Sequence, residues 1–160
     1  MKIRYGRMED LTELAQIERA CFPAAEAATE AELAARLRVY PDHFWVMEEG
    51  DRIVSFVNGM VTSEPTIRDE LFANAALHDP NGAWQAIFGV NTLPEYRRRG
   101  FAGELLRAAE RDARTAGRRG CILTCKDRLI HYYEALGYRP LGVSASVHGG
   151  AVWYDMRLEF

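Results

Sequence analysis

Apolar residues recur at two periods along this chain, one helical and one extended, and their alternation outlines a mixed α/β protein. Residues 2–5 read as a short strand. Leu11, Leu14, Ile17 and Cys21 then share one side of a helix, with Asp10 and Glu13 as its capping pair. Thr29 and Glu32 repeat that start signal for a second helix. Its apolar positions Leu33, Leu37 and Tyr40 keep helical spacing until Pro41 stops it. Two strands follow, Phe44–Met47 and Ile53–Val57, joined through Glu48-Glu49-Gly50-Asp51, a hairpin turn by composition. Residues 63–83 are more polar and carry Pro65, Pro80 and Gly82. They read as an insertion with a short helix, a natural position for substrate contacts.

Trp84 to Leu93 reads as one strand ended by Pro94. A basic turn leads from it into a helix with Phe101, Leu105, Ala109 and Ala113 at helical spacing. Cys121–Thr124 has the apolar character of a buried strand. A helix from about Asp127 ends at Gly137, and strands around 138–146 and 151–159 follow, with Gly149-Gly150 suited to a hairpin turn between them. No repeat, low-complexity tract or linker divides the 160 residues. A single α/β domain over 1–160, built on a mixed, mainly antiparallel sheet, is therefore expected.

Composition narrows the classes of function. Hydrophobic residues make up 48% and charged residues 27%, ordinary for a folded protein, and the net charge of -3 offers no global attraction to nucleic acid or an anionic membrane. Met1-Lys2-Ile3-Arg4-Tyr5 lacks the apolar run of a signal peptide, and no stretch reads as a bilayer span. Three cysteines, Cys21, Cys121 and Cys125, read as reduced thiols, so a cytoplasmic location is expected. His43, His78, His131 and His148 show no metal-ligand spacing, and Cys121/Cys125 have no second pair, so no metal site is expected.

Candidate chemistry concentrates in Arg97-Arg98-Arg99-Gly100-Phe101-Ala102-Gly103, between a strand and a helix. Backbone N–H groups at a helix start lack intrahelical partners, and the helix dipole adds positive potential there. A diphosphate can sit on such an end, with arginines pairing its oxygens. The same residues also suit a solvated basic turn. Neither GxxxxGK[ST] nor GxGxxG is present, so this is not a nucleotide-binding loop of either of those types.

Arg97-x-x-Gly100-x-Ala102 after a strand resembles the acetyl-CoA signature [RQ]xxGx[GA] of the GNAT superfamily of N-acetyltransferases. Tyr133-Glu134-Ala135-Leu136-Gly137-Tyr138 resembles the family's second run, YExxG[FY], and Cys21-Phe22-Pro23 resembles the end of its first helix. The resemblance covers nearly the whole chain. Leu123 to Glu134, with Glu48 to Phe56 compatible, looks most like the serotonin (arylalkylamine) N-acetyltransferase branch. The resemblance implies a GNAT-type sheet with helices on both faces and direct acetyl transfer from acetyl-CoA to an amine in a ternary complex.

It also implies roles for individual residues. Val90, Asn91 and Thr92 would contact coenzyme A, with the N–H near Val90 stabilising the oxyanion. Arg97 to Gly103 would hold the diphosphate. Tyr133 would protonate the leaving thiolate, since an ordinary phenol, with a pKa near ~10, keeps its proton at neutral pH. The branch's two histidines fall on Ala86 and Phe88, neither of which titrates. Glu26 is then the candidate base, acting through water. Tyr132 reads as structural, Cys125 as a buried thiol, and Arg118 and Arg119 as a solvated turn. The acceptor pocket would be walled by Phe22 to Thr29 and the 84–93 strand, with Phe22, Trp84 and Phe88 favouring a small apolar or aromatic amine. A protein N-terminus or lysine as acceptor, and a non-catalytic acyl-CoA-binding module, are the alternatives. GNAT domains often form homodimers, and the oligomeric state stays open.

Overall fold

The two periods resolve into nine strands and five α-helices in a computed structural model that describes residues 1–160. The strands are β1 (Lys2–Tyr5), β2 (Phe44–Glu49), β3 (Arg52–Asn58), β4 (Val61–Thr62), β5 (Trp84–Ile87), β6 (Gly89–Thr92), β7 (Gly120–Cys125), β8 (Arg139–Val143) and β9 (Tyr154–Glu159). The helices are α1 (Leu11–Cys21), α2 (Glu30–Val39), α3 (Asp69–Ala73), α4 (Phe101–Thr115) and α5 (Ile130–Ala135). One sheet runs β1-β2-β3-β6 and the other β4-β5-β7-β9-β8. Only β5 and β7 are parallel.

Each face of the sheets is covered by the helices whose apolar stripes match it, as the resemblance implies. Leu14 and Ile17 of α1 and Leu33 and Leu37 of α2 bury against Phe44, Val46 and Phe56. Leu105, Leu106 and Ala109 of α4 bury against Trp45, Val57 and Leu123 on the other face. A fully buried side chain of this size stabilises the fold by about 1.5–3 kcal/mol, so these two layers hold it together. The insertion forms α3 and a third apolar cluster around Ile67, Leu71 and Trp84. No helix is long and apolar enough to cross a membrane.

The start of α2 has the expected reciprocal cap, with Glu32 N–H on Thr29 Oγ1 at 3.1 Å and Thr29 N–H on Glu32 Oε1 at 2.9 Å. The start of α1 does not. Asp10 instead accepts the Arg7 N–H and both Nη groups of Arg4, each at 2.8 Å, while Glu13 accepts the Ile53 N–H at 2.8 Å. Asp10 is taken by a turn just upstream, and only Glu13 is drawn away by a distant strand. Three other expectations change. The strand from Trp84 to Leu93 breaks at Phe88 into β5 and β6. Gly149-Gly150 is no tight turn but part of a loop, residues 144–153, with both glycines at positive φ. Arg118 and Arg119 are not simply solvated: Arg118 donates to Pro80 O and Gly82 O, and Arg119 lies 5.1 Å from the Trp84 ring, fastening the insertion.

Candidate active site

The break at Phe88 creates the site. β5 runs parallel to β7 as far as the pair Ile87 and Leu123. From Gly89 on, the chain pairs with β3 instead, while β7 continues to Cys125. The sheet therefore splits, and a cavity of about 410 Å³ fills the gap. Leu93 N–H donates to Val54 O at 3.0 Å, and bonds alternate along an antiparallel pair. The Asn91 amide thus faces β3, while the Val90 and Thr92 N–H groups face the cleft.

One end of the cleft is built by the start of α4. Gly100 takes φ 80°, a conformation costly for any residue with a Cβ, and a Cβ there would meet nothing within 4 Å. The glycine is needed for its backbone angle rather than for space. The first helical bond runs from Glu104 N–H to Gly100 O, which leaves the amides of residues 101–103 without intrahelical acceptors. A recess of about 180 Å³ opens here beside Arg97, Arg98, Gly100, Phe101 and Ala102. Arg97 is steered into place by donating Nε–H to Thr92 O at 3.1 Å. Arg99 departs from its expected role: it turns back to Glu95 O and stacks 5.0 Å from the Tyr96 ring. The Gly103 Cα is buried in the helix, and the Asn91 side chain points to the α1 face, so both offer the cleft at most their main chains.

Tyr133 lines the cleft, 6% exposed, with its ring edge-on to Tyr132 at 5.0 Å and Tyr138 at 5.9 Å. Burial raises its phenol pKa, and Tyr132 and Cys125 nearby raise it further. It therefore stays protonated at neutral pH, as a proton donor must. Cys125 also lines the cavity, its thiol pushed up to about 11 by burial and by Asp127, which leaves it a packing group rather than a nucleophile. Tyr132, expected to be structural only, borders both the cavity and the recess.

The far end is enclosed by three loops. Phe22 and Phe88 line it as expected, but Trp84 does not. Its ring is 2% exposed, sandwiched between Arg119 and Arg157 at 5.1 and 5.0 Å. Glu26 reaches the cavity while its Oε2 accepts from Lys126 Nζ at 2.7 Å. The 144–153 loop adds His148 and Trp153, which sequence alone does not point to, because paired glycines between two strands suit a tight turn as well as a loop. His148 Nε2 is 2.7 Å from Glu26 O, Trp153 Nε1–H donates to His148 O at 2.8 Å, and Phe72 of the insertion packs 4.9 Å from the His148 ring. A Cβ on Gly149 would stand 2.7 Å from Glu26 Cγ, so only glycine lets this loop close. Glu18 and Arg36 were also missed. Both occupy positions on the buried sides of α1 and α2, at helical spacing from Leu14 and Leu33, where a charge is out of place unless it has work to do.

A profile of the acetyltransferase (GNAT) family matches residues 11–138. The chain belongs to that family. Solved structures superpose over nearly all of it. The GNAT-like decarboxylase GphF, in complex with isobutyryl-CoA, shares 24% identity over 99% of each chain, with a TM-score of 0.86. The loading GNATL domain of CurA from Lyngbya majuscula shares 16% over 99% of this chain and 96% of that one, with a TM-score of 0.85. A GNAT family acetyltransferase from Brucella melitensis, in complex with acetyl-CoA, shares 19% over 99% and 87%, with a TM-score of 0.62. At such identities the likeness is one of fold.

As a GNAT acetyltransferase, the protein uses acyl-CoA as its donor, and the cleft suits that co-substrate. The free amides at the start of α4, with Arg97 and Arg98 beside them, fit a diphosphate. The outward-facing amides of β6 offer the hydrogen bonds of an added strand to an extended pantetheine arm. No cluster of three or more His, Cys, Asp or Glu side chains could hold a metal ion.

Proposed function

We propose that the protein transfers the acetyl group of acetyl-CoA to a small primary amine with an apolar or aromatic body, by direct attack in a ternary complex. The observation that carries this reading is one cavity lined both by Arg97 and Ala102 at the α4 end and by the aromatic wall of Phe22, Phe88 and Trp153, with Tyr133 in the same lining. Arg97, Arg98 and the amides of residues 101–103 bind the diphosphate. The Val90 N–H, aimed into the cleft, meets the oxygen that gains charge as the amine attacks. Tyr133 gives its proton to the departing sulfur. Phe22, Phe88 and Trp153 hold the apolar body of the acceptor and exclude water.

The sequence run from Leu123 to Glu134 favours an acceptor of the arylalkylamine kind. The proton route of that branch is closed here, because Ala86 is fully buried in the core and Phe88 is a wall residue. Free-thiol release from acetyl-CoA, followed across a panel of aliphatic, arylalkyl and peptide amines, tests the proposal. Turnover should be greatest with arylalkylamines. Tight acetyl-CoA binding with no thiol release for any amine would overturn it.

A further inference from the structure

His148 is the one imidazole that lines the cavity, and donor binding leaves it without a task. Its Nε2 stands 2.7 Å from Glu26 O. A backbone carbonyl only accepts, so Nε2 carries the hydrogen, and in the neutral ring Nδ1 then holds the free lone pair. That atom has no hydrogen-bond partner in the protein. Unlike the buried and unpaired Glu18 Oε1 and Arg36 Nε, it is not sealed from solvent. The ring thus presents a bare proton acceptor to the space it borders.

The 144–153 loop is tied down around this ring. The His148 N–H donates to Ser146 Oγ at 3.3 Å, the Ser146 hydroxyl donates to Asp69 of α3, and Asp69 Oδ2 accepts the Val147 N–H at 3.1 Å. The His148 carbonyl accepts the Trp153 Nε1–H at 2.8 Å. Phe72, also on α3, packs 4.9 Å from the imidazole and 4.9 Å from the Phe88 ring, two residues before the Val90 amide. Fixing a loop residue costs about 1–2 kcal/mol of backbone entropy, so anchors this dense on residues 146–148 fit a ring that must keep its position. The charged groups around it are Asp69, Arg36 behind Phe72, and the Glu26 carboxylate, which the Lys126 ammonium already holds at 2.7 Å.

Resting on the amine-acetylation reading, we propose that His148 Nδ1 is the proton acceptor for the attacking amine, reached through water in the cavity. The bound ammonium gives one proton to that water as the water gives one to Nδ1, and the imidazolium returns it to bulk solvent. The freed nitrogen bonds to the acetyl carbon, the carbon–sulfur bond breaks, and the thiolate takes the Tyr133 proton. The second nitrogen proton restores Tyr133. The products are the acetamide, the coenzyme A thiol and one proton released to solvent. Imidazole is the side chain that ordinarily takes and returns protons near neutral pH. Glu26, the base expected from sequence, shares its Oε2 with Lys126 instead.

The test is kcat/KM for phenethylamine against pH in wild type, His148→Gln and Glu26→Gln, with acetyl-CoA affinity and thermal midpoint measured alongside. Glutamine keeps a donor for Glu26 O but has no basic atom. Wild-type kcat/KM should rise with pH and level off once the imidazole is neutral, well below the amine's own pKa. His148→Gln should fall about 100-fold or more below that plateau and keep rising up to the amine's pKa, while acetyl-CoA affinity and the midpoint hold. A plateau that persists in His148→Gln, or that is lost in Glu26→Gln alone, overturns the proposal while leaving amine acetylation intact. So does a wild-type profile that climbs without a break to the amine's pKa, a result that needs no variant should His148→Gln not fold. A wild type that turns over no amine overturns both.

Discussion

Tyr133→Phe isolates proton donation from packing. The ring is 6% exposed and makes two edge-on aromatic contacts, which phenylalanine keeps. Deleting only a hydroxyl should therefore change stability by less than about 1 kcal/mol. The chemistry loses more. A positioned proton donor contributes about 10²–10⁴-fold, or roughly 3–5 kcal/mol of barrier. Because burial raises the phenol pKa, the wild-type rate should show no loss of this acid up to about pH 10. Stopped thiol-release assays at saturating amine and acetyl-CoA give kcat, and calorimetry gives acetyl-CoA affinity. The expected result is a fall in kcat of at least about 100-fold with affinity unchanged. A kcat within about threefold of wild type, in a folded variant, would refute the assignment of Tyr133 as the acid.

Two further outcomes follow from the geometry. Gly149→Ala puts a Cβ 2.7 Å from Glu26 Cγ at a backbone with φ 63°, so it should cost about 1–2 kcal/mol and displace the Glu26–Lys126 pair. Steady-state kinetics should then find a raised amine KM with acetyl-CoA affinity preserved; an unchanged KM would mean the 144–153 loop does not wall the acceptor end. Burial holds His43 below the ordinary imidazole range and His78 at about 4. The unfolded chain thus binds more protons than the native one between about pH 6.5 and pH 4, so their contribution is complete above about 6.5 and is lost as pH falls toward 4. Thermal midpoints should drop across that window, and less steeply in His78→Gln; an identical slope would contradict the role given to His78.

Much of the architecture was legible because period and punctuation agreed. Thr29, Glu32 and Pro41 bracket α2 as read, and the Gly50 turn joins β2 to β3. The break at Phe88 was not legible. The run from Trp84 to Leu93 is continuously strand-like, and only competition between β3 and β7 for its backbone splits it. The start of α4 after Gly100 could be read because a helix start is local. Arg99 misled, since its guanidinium found Tyr96 and Glu95 instead. The proposed acceptor end gathers Phe22, Phe72, Phe88, His148 and Trp153 from distant segments, and no spacing reports that. Glu18 did leave a trace, as an acid on an apolar helical stripe.

Calorimetric titration with acetyl-CoA bears most directly on the site as a whole. Wild type should bind one equivalent, and Gly100→Glu, which forces a Cβ onto φ 80° and places a negative charge among the free amides of α4, should bind at least about tenfold more weakly. Equal affinity in the two proteins, or no heat with folded wild type, would contradict the account.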